Sequence, residues 1–186
     1  MARHDQRLVR LMPGRGGQRA ALPQHGGCQC GHVRYRLSAP PLVLYACHCT
    51  ECQHQSASAF GMSMAVDRGA LSVDWARCGT WERESASGRT VACRFCRRCG
   101  ARLFHEPSRN PAIVNIKPGS LDDRSWLQPV GHLWVRSKQP WVRIPDRALA
   151  YDGQPEDFDD LFVAWRGVVD KLITMPSVSS TGSTVS

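Results

Sequence analysis

Seven of the nine cysteines in this 186-residue chain lie in tight groups, and no other feature restricts its folding as strongly. Cys28 and Cys30 form a C-x-C turn, Cys96 and Cys99 a C-x-x-C turn, and Cys47, Cys49 and Cys52 a C-x-C-x-x-C run. Such spacings crowd thiols onto short turns, as metal ligation requires, whereas disulfide frameworks staple distant loops. Gly31 and Gly100 end the two turns, where a positive φ lets backbone amides face sulfur. Together the turns supply four thiolates, a complete tetrahedral shell for a structural zinc ion, so Cys28, Cys30, Cys96 and Cys99 are expected to form a closed site. The remaining trio is one ligand short. Zinc with three protein ligands keeps a position for water or substrate, so Cys47, Cys49 and Cys52 are expected to form an open, catalytic site. Two zinc ions per chain follow from this reading. The alternative is that Cys78, Cys93 or a histidine fills the fourth position.

The rest of the chain reads as one mainly β domain. Val33, Tyr35 and Leu37 alternate with polar residues, and Met62, Met64 and Val66 with small ones, so each segment is expected to be a half-buried strand. Val91–Phe95, Ala101–Phe104 and Ile113–Lys117 are further strand candidates, which puts the metal ligands where strands end. One helix closes the domain: Phe158, Leu161, Phe162, Trp165, Val169 and Leu172 recur at helical spacing behind an acidic first turn. Residues 1–22 are rich in Arg, Pro and Gly without apolar periodicity and are expected to be a disordered leader. Residues 176–186, almost all Ser, Thr, Gly and Val, are expected to be a disordered tail, leaving a zinc-binding domain over residues 23–175.

The net charge of +8 suggests nucleic acid, but the leader alone supplies +4 of it. With seven cysteines ligating two zinc ions as thiolates, the folded core would fall near +1. Charge therefore argues for no nucleic-acid partner. No segment approaches the ~20 apolar residues of a membrane helix, and the start lacks a secretory signal, so a reducing cytoplasm is expected. At the trio, three thiolates on zinc leave a net charge of −1 and hence a weak Lewis acid. That favours binding a substrate thiol, already acidic near a pKa of about 8.5 and soft enough for zinc, over ionising water.

The order of motifs resembles the glutathione-dependent formaldehyde-activating enzyme (GFA) family, which includes centromere protein V-like proteins. The resemblance rests on Gly26-Gly27-Cys28-Gln29-Cys30-Gly31-His32-Val33-Arg34-Tyr35, on Cys47-His48-Cys49-Thr50-Glu51-Cys52 followed by Ser56–Phe60, and on Phe95-Cys96-Arg97-Arg98-Cys99-Gly100. Gly119-Ser120-Leu121-Asp122, His132-Leu133-Trp134 and Ser137-Lys138-Gln139-Pro140-Trp141 extend it. It implies a zinc-stapled β-tent of short antiparallel strands with a C-terminal helix. The quartet would hold the structural metal and the trio the catalytic one. It also implies carbon–sulfur lyase activity, joining a small-molecule thiol, glutathione, to a carbonyl substrate, formaldehyde, as S-(hydroxymethyl)glutathione. Attack on formaldehyde leaves an alkoxide that needs a proton, with His48, Glu51 or a water as the candidate donors.

One loop departs from the family. After Cys52, members often carry a basic pair and then S-G-S-A-F, whereas this chain has Gln53-His54-Gln55-Ser56-Ala57-Ser58-Ala59-Phe60. If that loop cradles an anionic substrate, Gln53 and Ala57 supply neither the charge nor the flexible glycine. Two other functions fit the cysteines: a non-catalytic zinc module binding protein or nucleic acid, which requires a filled second site, and a zinc enzyme of the same fold using bound water. Trp134 and His132 are each read as core or pocket wall.

Overall fold

The computed structural model describes residues 20–85 and 88–174. Residues 1–19 of the expected leader and the whole expected tail lie outside the described residues. In chain order the elements are β1 (Ala20–Ala21), β2 (Gln24–Gly27), β3 (Arg34–Leu37), β4 (Val43–Cys47), α1 (Thr50–Ser56), β5 (Gly61–Asp67), β6 (Leu71–Val73) and β7 (Cys78–Glu84). There follow β8 (Thr90–Cys96), β9 (Arg102–Pro107), β10 (Ile113–Ile116), β11 (Gly131–Leu133), β12 (Leu149–Tyr151), α2 (Asp159–Leu172) and β13 (Ile173–Thr174).

The strands make an eight-stranded sheet in the order β12-β11-β4-β5-β10-β9-β8-β7, a three-stranded sheet β2-β3-β6, and a small pair β1-β13. The fold is mainly β with a C-terminal helix, as expected, but it is not wholly antiparallel. β11 runs parallel to both β4 and β12, and β1 runs parallel to β13. These pairings join segments separated by long connections, which a parallel neighbour needs. Ala20–Ala21 and the buried Leu22, the last residues of the expected leader, belong to the folded structure.

β3 follows the two-residue period, with Tyr35 and Leu37 buried and Arg34 and Arg36 exposed. β5 does not: Ser63, Met64, Ala65 and Val66 are all buried, because the strand lies between β4 and β10 in the middle of the large sheet. Met64 and Val66 enter the core, while Ser63 and Ala65 face a cavity on the other side. The small residues alternating with methionine and valine are thus the cavity floor. Between the sheets, the Phe104 ring meets Tyr35 at 5.3 Å and Trp75 at 5.2 Å, both edge-to-face. Each such pair contributes about 0.5–1.5 kcal/mol beyond its buried area.

Two of the sequence motifs hold each other. The Tyr35 and Ser120 hydroxyls are 2.8 Å apart, and Arg34 forms a bidentate pair with Asp122. Gly26 sits beneath them, bridged to Leu121, where a Cβ would overlap the Tyr35 phenol and come within 2.7 Å of the Ser120 carbonyl oxygen. α2 turns Leu161, Trp165 and Val168 inward, and Trp165 Nε1 donates to the Pro41 carbonyl at 2.7 Å. Among the described residues, no helix is long and apolar enough to cross a membrane.

Candidate metal centres and cavity

The fold gathers the seven cysteines into two clusters, and in each the sulfurs lie within 4.8 Å of one another. Cys28 and Cys30 leave the end of β2, while Cys96 ends β8 and Cys99 follows in its turn, so the quartet ties the small sheet to the large one. Cys28 and Cys30 sulfurs are 3.5 Å apart, and Cys30 and Cys96 sulfurs 3.8 Å. A tetrahedral ion with zinc–sulfur bonds of about 2.3 Å needs sulfurs about 3.8 Å apart, so the quartet fits zinc in number, donor type and spacing. Gly31 and Gly100 adopt φ of 74° and 71°, the positive values expected of them. Backbone amides face sulfur here: Val33 N donates to Cys28 Sγ at 3.2 Å and Arg98 N to Cys96 Sγ at 3.4 Å. Backbone amides at Ala101 and then Cys30 pull the exposed Cys99 thiol down to about 6.

The trio is built differently. Cys47 ends β4, Cys49 caps α1 and Cys52 lies in its first turn. Cys49 Sγ accepts from the Cys52 amide at 3.4 Å, and the Cys47 and Cys49 sulfurs are 3.5 Å apart, again a spacing zinc can bridge. α1 was not expected from the sequence, since seven residues are too few for an apolar period to show. Cys49 ionises first, held low by hydrogen bonds from the Cys47 and Cys52 thiols, while hydrogen bonding to Cys49, then to Cys52, and burial push Cys47 up.

No fourth His, Cys, Asp or Glu joins the trio within that span among the described residues. Cys93 accepts from Gln55 Nε2 at 3.3 Å, and Gln55 in turn accepts from Arg102 at 2.7 Å. Cys78 is buried opposite Cys96 across β7 and β8.

The open side of the trio faces a cavity of about 920 Å³ lined by all three cysteines. Its walls carry Arg83, Arg89, Arg109, Lys117 and Arg136 against Glu51, Glu156 and Asp157, so cations outnumber carboxylates. Trp134 forms part of its wall, held at φ 60° with the Arg136 guanidinium over its ring at 4.8 Å. A non-glycine residue in that left-handed region carries backbone strain, a feature common at functional sites.

The two predicted proton carriers separate. Glu51 lines the cavity. His48 does not: strand alternation at the end of β4 sends it to the opposite side from Cys47, where it is fully buried with Nε2 2.9 Å from His132 Nδ1. Burial, then His48, lowers His132 to about 4, and His132 is also absent from the cavity lining. Gln53 lies off the cavity as well. Its amide nitrogen bonds the carbonyls of His48 and Ser137 at 2.6 and 2.8 Å, strapping α1 to the segment after β11.

Lys117 and His105, which carried no functional reading in the sequence, stand on the cavity wall. Lys117 is buried, and its ammonium donates to Ser63 Oγ at 3.0 Å. Burial pulls it down to about 8, opposed by the negative charge of Cys52. His105 is buried with its Nε2 lacking a hydrogen-bond partner among the described residues, and burial, then Lys117, holds its imidazole pKa well below the usual range. A lysine at the end of the apolar run Ile113–Ile116 was the available signal.

The sequence profile of a family described as glutathione-dependent formaldehyde-activating enzyme matches residues 23–137, which hold both cysteine clusters and most of the cavity wall. The chain belongs to this family. A Halomonas elongata protein named "Putative glutathione-dependent formaldehyde-activating enzyme" is 27% identical over 139 residues, spanning 71% of this chain and 88% of that protein. A Rhodobacter sphaeroides protein of known crystal structure shares 16% identity with a TM-score of 0.42, covering 68% of this chain and 98% of that one.

Proposed function

We propose that this GFA-family protein is a zinc-dependent carbon–sulfur lyase-type enzyme that forms or cleaves a thiol–carbonyl adduct, with S-(hydroxymethyl)glutathione as the named case. One observation carries the reading: a complete cysteine quartet lies between the sheets, while an incomplete trio opens onto a large cavity. The quartet is the structural site and the trio the catalytic one. Zinc held by Cys47, Cys49 and Cys52 would supply a soft Lewis acid able to take a thiol as its thiolate near neutral pH.

The chain's own residues account for the rest. Arg83, Arg89, Arg109 and Arg136 match a substrate carrying carboxylates, as glutathione does. This charge comes from β7, the β7–β8 connection and later segments rather than from the loop after Cys52. Glu51, beside the trio, is placed to pass a proton to solvent. Nine free thiols suit a reducing compartment such as the cytoplasm.

The test is two-dimensional exchange NMR of glutathione with formaldehyde, with the spontaneous rate measured alongside. Zinc-loaded protein should accelerate exchange into the hydroxymethyl adduct. Exchange no faster than the spontaneous rate, with two zinc ions bound per chain, would refute the substrate assignment.

A further inference from the structure

Thiol addition to an aldehyde moves negative charge onto one atom, the carbonyl oxygen, and the trio has no remaining group to receive it. The register of the large sheet indicates where that oxygen lies. Cys47 pairs with Gly61, and two residue pairs along, on the same face of the sheet, Tyr45 pairs with Ser63. Ser63 in turn accepts the hydrogen bond from Lys117. Two residues along a strand are about 7 Å, so Ser63, which holds the Lys117 ammonium, stands about that far along the strand from the residue paired with Cys47, and both line the same cavity. A held sulfur, one carbon and one oxygen bridge such a gap. His105, on the neighbouring strand β9, adds a buried imidazole whose Nε2 has no hydrogen-bond partner among the described residues.

We propose that Lys117, with His105 beside it, forms the subsite that holds the carbonyl oxygen of the aldehyde and stabilises the alkoxide formed there. This rests on the thiol–carbonyl reading above. In the step, the thiolate sulfur gives its electron pair to the carbonyl carbon and the sulfur–carbon bond forms. The carbon–oxygen π pair moves to oxygen, where the Lys117 ammonium meets the new negative charge. The alkoxide then takes one proton from solvent, replacing the one the thiol released on binding, so atoms and charge balance over the cycle. A buried cation is effective in this role because the low-dielectric cavity strengthens its interaction and the Ser63 bond fixes its direction beforehand.

Two readouts test it. The chain has three lysines, Lys117, Lys138 and Lys171, so labelled formaldehyde with cyanoborohydride on the zinc-loaded protein at pH 8 reports each by peptide mass. Lys117, although buried, should be methylated from the cavity; labelling of Lys138 and Lys171 without Lys117 overturns the subsite. In exchange NMR, Lys117→Met should lower kcat by about 10²–10³-fold while the KM for glutathione stays within about 3-fold and both zinc ions remain. An unchanged kcat, or a raised KM with kcat intact, overturns the proposal, the latter by assigning Lys117 to a thiol carboxylate. If Lys117→Met fails to bind zinc, the methylation result and a loss of about 10-fold in kcat for His105→Gln decide. If the wild-type protein methylates at Lys117 yet does not accelerate exchange, the carbonyl subsite stands and the glutathione reaction falls.

Discussion

Replacing Ala57 with glycine should stabilise the protein by about 0.5–1 kcal/mol. Ala57 closes α1 at φ 46° and ψ 41°, where its amide bonds the His54 carbonyl at 3.2 Å and the Ser58 amide bonds the Gln53 carbonyl at 3.2 Å. The turn therefore needs the left-handed conformation, which a Cβ disfavours by about 1–2 kcal/mol. Glycine relieves that strain but enlarges the freedom of the unfolded chain, which costs about 0.4–1 kcal/mol. Ala57 is exposed, so no packing is lost, and the difference is the net gain. For a domain of this size the gain raises Tm by roughly 1–4 °C. Calorimetry in a zinc buffer of fixed free concentration measures it, since bound metal shifts Tm by mass action. A lower Tm for Ala57→Gly would refute the argument from backbone strain. Because Ala57 does not line the cavity, glutathione KM should stay within about 2-fold of wild type; a larger fall would make this loop a substrate cradle after all.

The two cysteine clusters should respond differently to removal of a ligand. Cys96→Ser, in the quartet that ties the sheets, should abolish cooperative unfolding or lower Tm by more than about 10 °C, since structural zinc contributes roughly 10–16 kcal/mol to folding. Cys49→Ser should keep the fold, retain one zinc per chain by metal analysis and lose activity. Gly26→Ala should destabilise by about 1–3 kcal/mol in denaturant titration, because the new Cβ meets the Ser120 carbonyl backbone and cannot be accommodated by a rotamer change. His132 is held neutral, with its pKa near 4 against about 6.5 unfolded, so the unfolded state binds more protons between those values and stability falls as pH drops through that window. Relative to His132→Gln, wild type should lose roughly 2–3 kcal/mol between pH 6.5 and 4. Parallel pH dependence of the two proteins would refute this, and their difference cancels the protonation of cysteines common to both.

The motifs divide by the kind of physics that reveals them. Cysteine spacing and the glycines that end the turns are local, so both clusters and the positive φ of Gly31 and Gly100 were readable in the chain. The period of α2 was readable for the same reason. β4 was missed because Val43, Leu44, Ala46 and Cys47 are all buried, and a strand covered on both faces has no alternation to detect. β11 was missed because its pairing with β4 and β12 depends on long connections that leave no local trace.

The sequence by itself determined that four cysteines can complete a metal shell and that three cannot, because ligand number and turn geometry are set within a few residues. Only the tertiary structure decided what the incomplete trio faces. Burial took His48 and His132 out of the cavity and left Glu51 in it. Register across β4, β5 and β10 brought Lys117 onto the cavity wall two residue pairs from Cys47, although seventy residues separate them in the chain. Cross-strand neighbours are fixed by the pairing of whole strands, and that pairing is the lowest-energy arrangement of the entire sheet rather than a property of any one segment.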